Sequence, residues 1–200
     1  MQLRSETSQQ SLWFIIGLYG TMGAEHILMG YDHLLFVFGL ILLVGFRKKL
    51  IITATAFTLA HSLTLAASMV DAVAVNQRFV ELLIALSICL VAVEGLRNRA
   101  TLASMAPSVV AFLFGLIHGL GFAGALKDIG LPADTFVVSL LAFNFGVELG
   151  QIAVLVFAWC LDLVVAYLVK SQRILARART VMGYLIGGFG TFWFVERLIH

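Results

Sequence analysis

The chain alternates between long apolar runs and short polar turns. A helix that crosses a bilayer needs about 20 apolar residues, and most of these runs approach that length. We predict crossings over residues 31–46, 51–70, 79–96, 107–126, 136–160 and 180–199. Residues 11–29 are predicted to form an amphipathic interfacial helix, because residues 11–46 are too long for one crossing and too short for two. The pattern therefore predicts an all-α membrane protein with one helical domain over residues 1–200.

Composition supports this fold class. Hydrophobic residues make up 61% of the chain and charged residues 12%, and the mean hydropathy of +1.02 is rarely approached by a soluble domain. Cys89 and Cys160 lie in apolar runs without CxxC spacing, which indicates neither a disulfide framework nor a thiolate metal site. The apolar run after the polar N-terminus lacks a clear cleavage site, so we expect it to be retained. The expected partners are a lipid bilayer and no nucleic acid, with a homo-oligomer left open.

Basic residues predict the orientation. Nine of the 13 Lys and Arg residues follow crossings one, three and five, and the other four lie in the remaining turns or at the ends. The nine are Arg47, Lys48, Lys49, Arg97, Arg99, Lys170, Arg173, Arg177 and Arg179. The positive-inside rule places these three turns in the cytoplasm. We therefore expect a multi-pass protein of a bacterial inner membrane, with both termini on the periplasmic or exterior side.

An internal repeat is indicated when residues 51–96 are laid on residues 108–153, a shift of 57. Apolar residues match at several positions, and His61 matches His118. Apolar composition alone produces some coincidences, whereas paired histidines are rarer. The pattern predicts a parallel duplication about an axis along the membrane normal.

The segment GAEHILMGYDHLLF, residues 23–36, contains several ionisable residues close to the start of the first crossing. It contains Glu25, His26, Asp32 and His33, and Gly30 can turn the chain between the histidines. Imidazole and carboxylate are ligands of borderline divalent metals. The alternative is an interfacial segment whose polar side chains meet headgroups and water. Four ionisable groups within a few residues favour the metal-binding interpretation.

Two further histidines are predicted near the membrane midplane. His61 lies about ten residues into its crossing, roughly 15 Å deep, and His118 has a similar depth. Ser62 follows His61 directly, and Thr58 shares its face. Each histidine alone could be an interhelical hydrogen-bonding residue. Their matching depth favours a shared function.

Glu148 is predicted to lie equally deep on the fifth crossing. Asn144 and Gln151 share its helix face at spacings of four and three residues. An isolated carboxylate is costly at membrane depth, and no Lys or Arg is predicted in the core of a crossing. We therefore expect a histidine or a metal ion as the partner of Glu148. Glu81, near the outer rim, is as readily explained by solvation.

Together these residues predict a metal site. The expected ligands are His26, Asp32, His33, His61, His118 and Glu148, and the expected supporting residues are Ser62, Asn144, Gln151 and Glu81. Nitrogen and oxygen donors without thiolate suit Ni²⁺, Zn²⁺, Fe²⁺, Co²⁺ or Mn²⁺, and ligand type does not choose among them. Whether the outer residues 26–33 and the deeper residues form one site or two stays open.

The blocks HILMGYDHLLF, FTLAHSLTL, FGLIHGLGFA and FNFGVELGQ resemble, in this order and spacing, the HupE/UreJ family of bacterial membrane proteins. The resemblance covers roughly residues 20–155. It implies a nickel permease or an accessory protein of hydrogenase or urease gene clusters, with a signature at His26, Gly30, Asp32 and His33. Ile27 stands where hydrogenase-linked members often carry proline, so the resemblance leaves nickel itself in question.

Three functions stay open at this point. The first is a transition-metal permease, which the resemblance favours. The second is a metal-dependent membrane hydrolase whose site opens outward, with Glu148 or Asp32 as general base. The third is an assembly partner that uses a metal only for folding. One feature opposes transport, because the predicted cytoplasmic half offers few polar groups, mainly Thr53, Thr55, Glu94 and Gln151.

Position 48 tests the predicted orientation. In a chain carrying Cys89→Ala, Cys160→Ala and Lys48→Cys, we expect an impermeant maleimide to label the new cysteine only after the cytoplasmic face is opened, because of the basic asymmetry. Gel-shift labelling of intact cells and inverted vesicles measures this. Labelling only from the exterior would contradict the orientation.

Overall fold

The computed structural model describes residues 2–73, 75–97 and 99–199, and their side chains from Leu12 onward except at positions 128 and 133. Within these residues the chain forms eight α-helices, one 3₁₀ turn (Ala133–Thr135) and no strand. The α-helices are α1 (Gln2–Met29), α2 (Tyr31–Val44), α3 (Lys48–Met69), α4 (Gln77–Leu96), α5 (Leu102–Met105), α6 (Pro107–Ile129), α7 (Phe136–Leu168) and α8 (Gln172–Ile199).

Several helices are suited to a membrane. Among the described residues, five stretches are long and apolar enough to cross one: Leu12–Met29, Lys48–Met69, Gln77–Leu96, Pro107–Lys127 and Phe136–Leu168. Helix α2 is apolar but shorter, and α8, which contains the predicted crossing 180–199, is outside this group. Glycines and the charged residues Glu196 and Arg197 dilute the apolar residues of α8. The prediction of an all-α membrane protein is confirmed.

Helix α1 packs lengthwise and in parallel against α7. The backbone of Gly20 lies against Gly146, and a Cβ atom on Gly146 would overlap the Gly20 carbonyl. One turn further along both helices, Ala24 lies against Gly150. Small residues on both helices permit this close approach, as small-xxx-small faces do. These small residues hold α1 against the longest helix of the bundle, and Leu12–Met29 is long and apolar enough to cross a membrane. The interfacial placement of residues 11–29 stays a prediction.

Helices α1 and α2 form one interrupted pass. The ring of His26 in α1 lies 3.9 Å from that of Phe122, and the ring of Phe36 in α2 lies 5.7 Å from that of Phe114. The two helices therefore follow α6 in the same direction, antiparallel to it, with Gly30 between them. The predicted crossing 31–46 corresponds to α2, whose 14 residues span about 21 Å. That is less than the roughly 30 Å hydrocarbon core, and α1 provides the remainder of the pass.

Helices α3 and α6 run parallel at the centre of the bundle. Gly115 lies against Phe57 and Gly119 against His61. This parallel packing agrees with the predicted repeat, whose shift of 57 residues pairs His61 with His118. The two deep histidines are therefore on neighbouring helices.

The other helices complete a bundle of alternating passes. Helix α4 runs parallel to α2, with Val91 against Gly39, and α8 runs antiparallel to α4, with Gly190 against Cys89. The rings of Phe122 and Phe143 stack 5.3 Å apart where α6 and α7 diverge from their short connection. In the described part of the chain, the successive elements α1–α2, α3, α4, α6, α7 and α8 alternate in direction, so α8 runs antiparallel to α1–α2.

The contact between α1 and α7 is testable by adding one methyl group. A Cβ atom on Gly23 would overlap the Phe143 carbonyl, whereas one on Gly17 meets nothing within 4 Å. We expect Gly23→Ala to destabilise the bundle by about 1–3 kcal/mol, the usual cost of overpacking. Gly17→Ala is the matched control, because both changes gain the same helix propensity, about 1 kcal/mol. Thermal unfolding in detergent measures the difference, and equal melting temperatures would contradict the packing.

Candidate metal centre

Four histidine side chains meet inside the bundle, and we call them the histidine cluster: His26, His33, His61 and His118. His33 is central, with ring centroids 4.6 Å from His26, 5.7 Å from His61 and 5.0 Å from His118. His61 and His118 are fully buried, His33 is 3% exposed, and His26 is half-buried. The structure thus places the histidines from residues 26–33 and the deeper histidines in one cluster.

Gly30 positions the two histidines of the first pass. It is the single residue between α1 and α2, and its N–H donates to the carbonyl of His26 over 3.0 Å. A Cβ atom here would lie 2.6 Å from that carbonyl and 3.0 Å from His33 Nδ1. Glycine therefore allows the helix to break and the histidine rings to meet without a steric clash.

Asp32 orients the ring of His33. Its Oδ1 accepts a hydrogen bond from the His33 backbone N–H at 2.9 Å and another from Nδ1 at 3.0 Å. The carboxylate can only accept, so the proton is on Nδ1 and the lone pair is on Nε2. Among the described residues, this buried Nε2 has no hydrogen-bond partner. A carboxylate behind a histidine is a recurrent arrangement at metal sites, where it orients the ring and raises its basicity.

Ser87 orients the ring of His118. The Ser87 hydroxyl donates its one hydrogen to the carbonyl of Ile84 over 2.6 Å, and its oxygen lies 3.0 Å from His118 Nε2. Ser87 therefore accepts from Nε2–H, which leaves the lone pair on Nδ1. This Nδ1 is also buried without a partner in the part of the chain that the structure describes.

The other two histidines also present unpaired nitrogens. Nε2 of His26 and both ring nitrogens of His61 are buried without hydrogen-bond partners among the residues described. Potential ligand atoms of His26, His33 and His61 lie within 4.8 Å of one another, as do those of Asp32, His33 and His118. A zinc–nitrogen bond of about 2.0–2.1 Å separates tetrahedral donors by about 3.4 Å. Small side-chain movements are enough to close a three-nitrogen site.

Aromatic side chains surround the cluster. Phe57 lies 6.1 Å from His33 and 5.0 Å from His118, and Phe36 lies 5.0 Å from His118, measured between ring centroids. Phe122 covers His26. An unpaired polar group in such surroundings costs about 1–3 kcal/mol, so a bound cation would relieve a penalty that the apo cluster carries.

A second polar group, which we call the oxygen layer, lies between α3 and α7. It consists of Thr55, Thr58, Glu148 and Gln151. Thr55 Oγ1 donates to Glu148 Oε1 over 2.7 Å, and Thr58 Oγ1 donates to Gln151 Oε1 over 2.6 Å. The predicted ligand Glu148 thus has a hydroxyl partner on α3, and it is outside the two groups of candidate ligand atoms.

The remaining predicted residues have varied surroundings. Ser62 donates to the backbone carbonyl of Thr58 over 2.7 Å. Glu81 lies 3.6 Å from the Arg197 guanidinium at the contact of α4 and α8, which accounts for its charge without a metal. Asn144 Oδ1 is buried and has no hydrogen-bond partner among the described residues. Glu25, in the opening segment, is exposed.

Ser87 was not anticipated, although the repeat contains a signal for it. The shift of 57 that pairs His61 with His118 also pairs Ser87 with Asn144. A serine one helix away from a histidine is too common in apolar sequence to single out. Only the contact between α4 and α6 shows that Ser87 determines the tautomer of His118.

Comparison with known families gives one match. The family model described as HupE / UreJ protein matches residues 2–197. Searches of curated proteins and of solved structures find no match. The family match extends over both the histidine cluster and the oxygen layer.

Asp32 provides a test of the cluster. If the cluster holds a metal, we expect Asp32→Ala to weaken metal affinity about 10–100-fold, the usual effect of losing a carboxylate behind a histidine ligand. Isothermal titration of the detergent-purified protein with Zn²⁺ measures it. Asp71→Ala removes an exposed carboxylate that pairs with Lys127 and should leave affinity unchanged. Equal affinities of the two variants would contradict the role of Asp32.

Proposed function

Because the chain belongs to the HupE/UreJ family, we propose that it binds a divalent transition metal at the histidine cluster and carries that metal across the membrane. The family is associated with metal uptake or accessory roles. The ligands in this proposal are His26, His33, His61 and His118. Asp32 acts behind His33, and the membrane is the bacterial inner membrane.

One observation carries the metal-binding proposal. Imidazole nitrogens from four helices converge in an apolar interior, and each ring has a buried nitrogen without a protein partner among the described residues. On His33 and His118, neighbouring oxygens determine which nitrogen keeps its lone pair. Packing alone requires neither four converging imidazoles nor two oriented tautomers.

The donor set selects a class of metal. Imidazole nitrogen suits Zn²⁺, Ni²⁺, Co²⁺ and Fe²⁺, and Mn²⁺ is bound more weakly. Neither cysteine is needed, because Cys89 packs against Gly187 and Thr191 at the α4–α8 contact, and Cys160 is exposed on α7. The proposed cargo is therefore a borderline divalent ion held without sulfur.

The oxygen layer favours transport over hydrolysis. Asp32 Oδ1 is hydrogen-bonded to the backbone N–H and to Nδ1 of His33, and Glu148 Oε1 accepts from Thr55, so neither of these two oxygens is free to act as a general base beside the open histidine nitrogens. Thr58 and Thr55 precede His61 along α3 by three and six residues, which is about 4.5 and 9 Å along the helix axis. They extend the polar groups from the cluster towards the Arg47–Lys49 end. A path through the membrane needs such a continuation.

Metal analysis tests the binding proposal. The purified parent protein should hold about one equivalent of Zn²⁺ or Ni²⁺, and His61→Ala should abolish stoichiometric binding, because His61 belongs to the group of three histidines whose potential ligand atoms lie within 4.8 Å of one another. The double variant Cys89→Ala, Cys160→Ala is the control and should keep its metal. Elemental analysis after gel filtration measures the content. Metal retention by His61→Ala, or its loss from the cysteine variant, would contradict the ligand set.

Reconstituted vesicles test transport. Proteoliposomes that enclose a metal-sensitive dye should accumulate Ni²⁺ or Zn²⁺ faster with the parent protein than with His61→Ala. Stoichiometric metal binding without any uptake would support the metal-binding proposal and contradict the permease proposal.

A further inference from the structure

We infer that the oxygen layer, extended by Asn144, is a second cation site that receives the divalent metal from the histidine cluster. The inference deepens the proposed function, because the cation it names is the cargo of the permease. It adds a site with different donor chemistry.

Three side chains of α7 carry the observation. Asn144, Glu148 and Gln151 share one helix face, and each has a buried polar atom without a hydrogen-bond partner among the described residues: Asn144 Oδ1, Glu148 Oε2 and Gln151 Nε2. Gln151 is only 1% exposed. Native interiors rarely leave such groups unpaired. Two unpaired acceptor oxygens one helical turn apart are the environment that a cation stabilises.

The amide of Gln151 can add a third oxygen. Which of its terminal atoms is oxygen is inferred from hydrogen bonds. Thr58 Oγ1 lies 3.4 Å from the carbonyl of Ala54 as well as 2.6 Å from Gln151 Oε1. If the amide turns over, Thr58 donates to Ala54 and accepts from the amide nitrogen, so the amide oxygen takes the unpaired position. This rearrangement preserves hydrogen bonding and provides an additional ligand.

The charge of Glu148 also requires a partner. Among the described residues, Glu148 takes part in no ion pair, and its one hydrogen bond comes from the neutral hydroxyl of Thr55. A carboxylate at this depth is costly unless a cation compensates it. A divalent ion beside Glu148 provides that compensation.

The donor chemistry assigns an order to the two sites. Imidazole binds Ni²⁺, Co²⁺ and Zn²⁺ more strongly than neutral oxygens do, whereas carboxylate and carbonyl oxygens suit harder ions such as Mn²⁺. The oxygen layer is reached from His61 through Thr58, one turn towards the Arg47–Lys49 end. A strong nitrogen site followed by a weaker oxygen site allows capture and then release, as conduction through successive sites requires.

Mn²⁺ isolates the second site, because its binding is read by electron paramagnetic resonance. In a background of His61→Ala and His118→Ala, we expect the protein to bind about one Mn²⁺ per chain. Adding Glu148→Gln should weaken this binding at least tenfold. Adding Glu81→Gln, which alters the carboxylate paired with Arg197, should not. Absence of bound Mn²⁺ in the background, or its persistence with Glu148→Gln, would overturn the inference.

Two outcomes separate the inference from the proposed function. In the otherwise unchanged protein, Glu148→Gln should keep about one equivalent of Zn²⁺ at the histidine cluster while uptake into vesicles falls at least tenfold. Unchanged uptake would refute the second site and leave the histidine site intact. Loss of zinc from His61→Ala without any effect on Mn²⁺ binding would show that the two sites are independent. If the double-histidine background does not fold, Mn²⁺ binding is measured in the parent protein instead. We then expect the parent to bind a second equivalent of Mn²⁺ and Glu148→Gln to lack it, and a second equivalent that persists in Glu148→Gln would overturn the inference.

Discussion

The structure depends on burying imidazole nitrogens that have no hydrogen-bond partner among the described residues. Each unpaired nitrogen of the histidine cluster costs about 1–3 kcal/mol in an apolar interior. Phe36, Phe57 and Phe122 surround the rings and keep bulk water from hydrogen-bonding to the unpaired nitrogens. A cation can bind strongly here, because no hydrogen bond has to be broken to free the open nitrogens.

Close helix packing brings these rings together. Small residues let α1 lie against α7, and Gly119 lets α6 lie against the His61 carbonyl of α3. The break at Gly30 then brings the end of α1 and the start of α2 to the same level, so that His26 and His33 meet. Discontinuous helices with a site at the break are a recurrent device of transporters. Here the break contributes two of the four histidines.

Much of this arrangement could be predicted from the sequence, and some could not. Apolar runs gave the all-α membrane class, and the four blocks gave the family that the match over residues 2–197 confirms. The packing of α1 against α7 was not predictable from hydrophobic periodicity. The small residues of α1 indicate that some helix can approach closely, but they do not indicate which one. Likewise, Glu81 looked like a candidate until Arg197, more than a hundred residues away, was placed beside it.

X-ray absorption at the metal edge of the zinc-loaded or nickel-loaded protein reports the donor atoms themselves and so decides whether the histidine cluster is the metal centre. We expect a first shell of nitrogen and oxygen at about 2.0–2.1 Å, with outer-shell scattering from at least three imidazoles. We expect this scattering to weaken in His118→Ala and to stay unchanged in Cys89→Ala. A sulfur shell at about 2.3 Å, or a shell with a single imidazole, would contradict the histidine cluster as the metal centre.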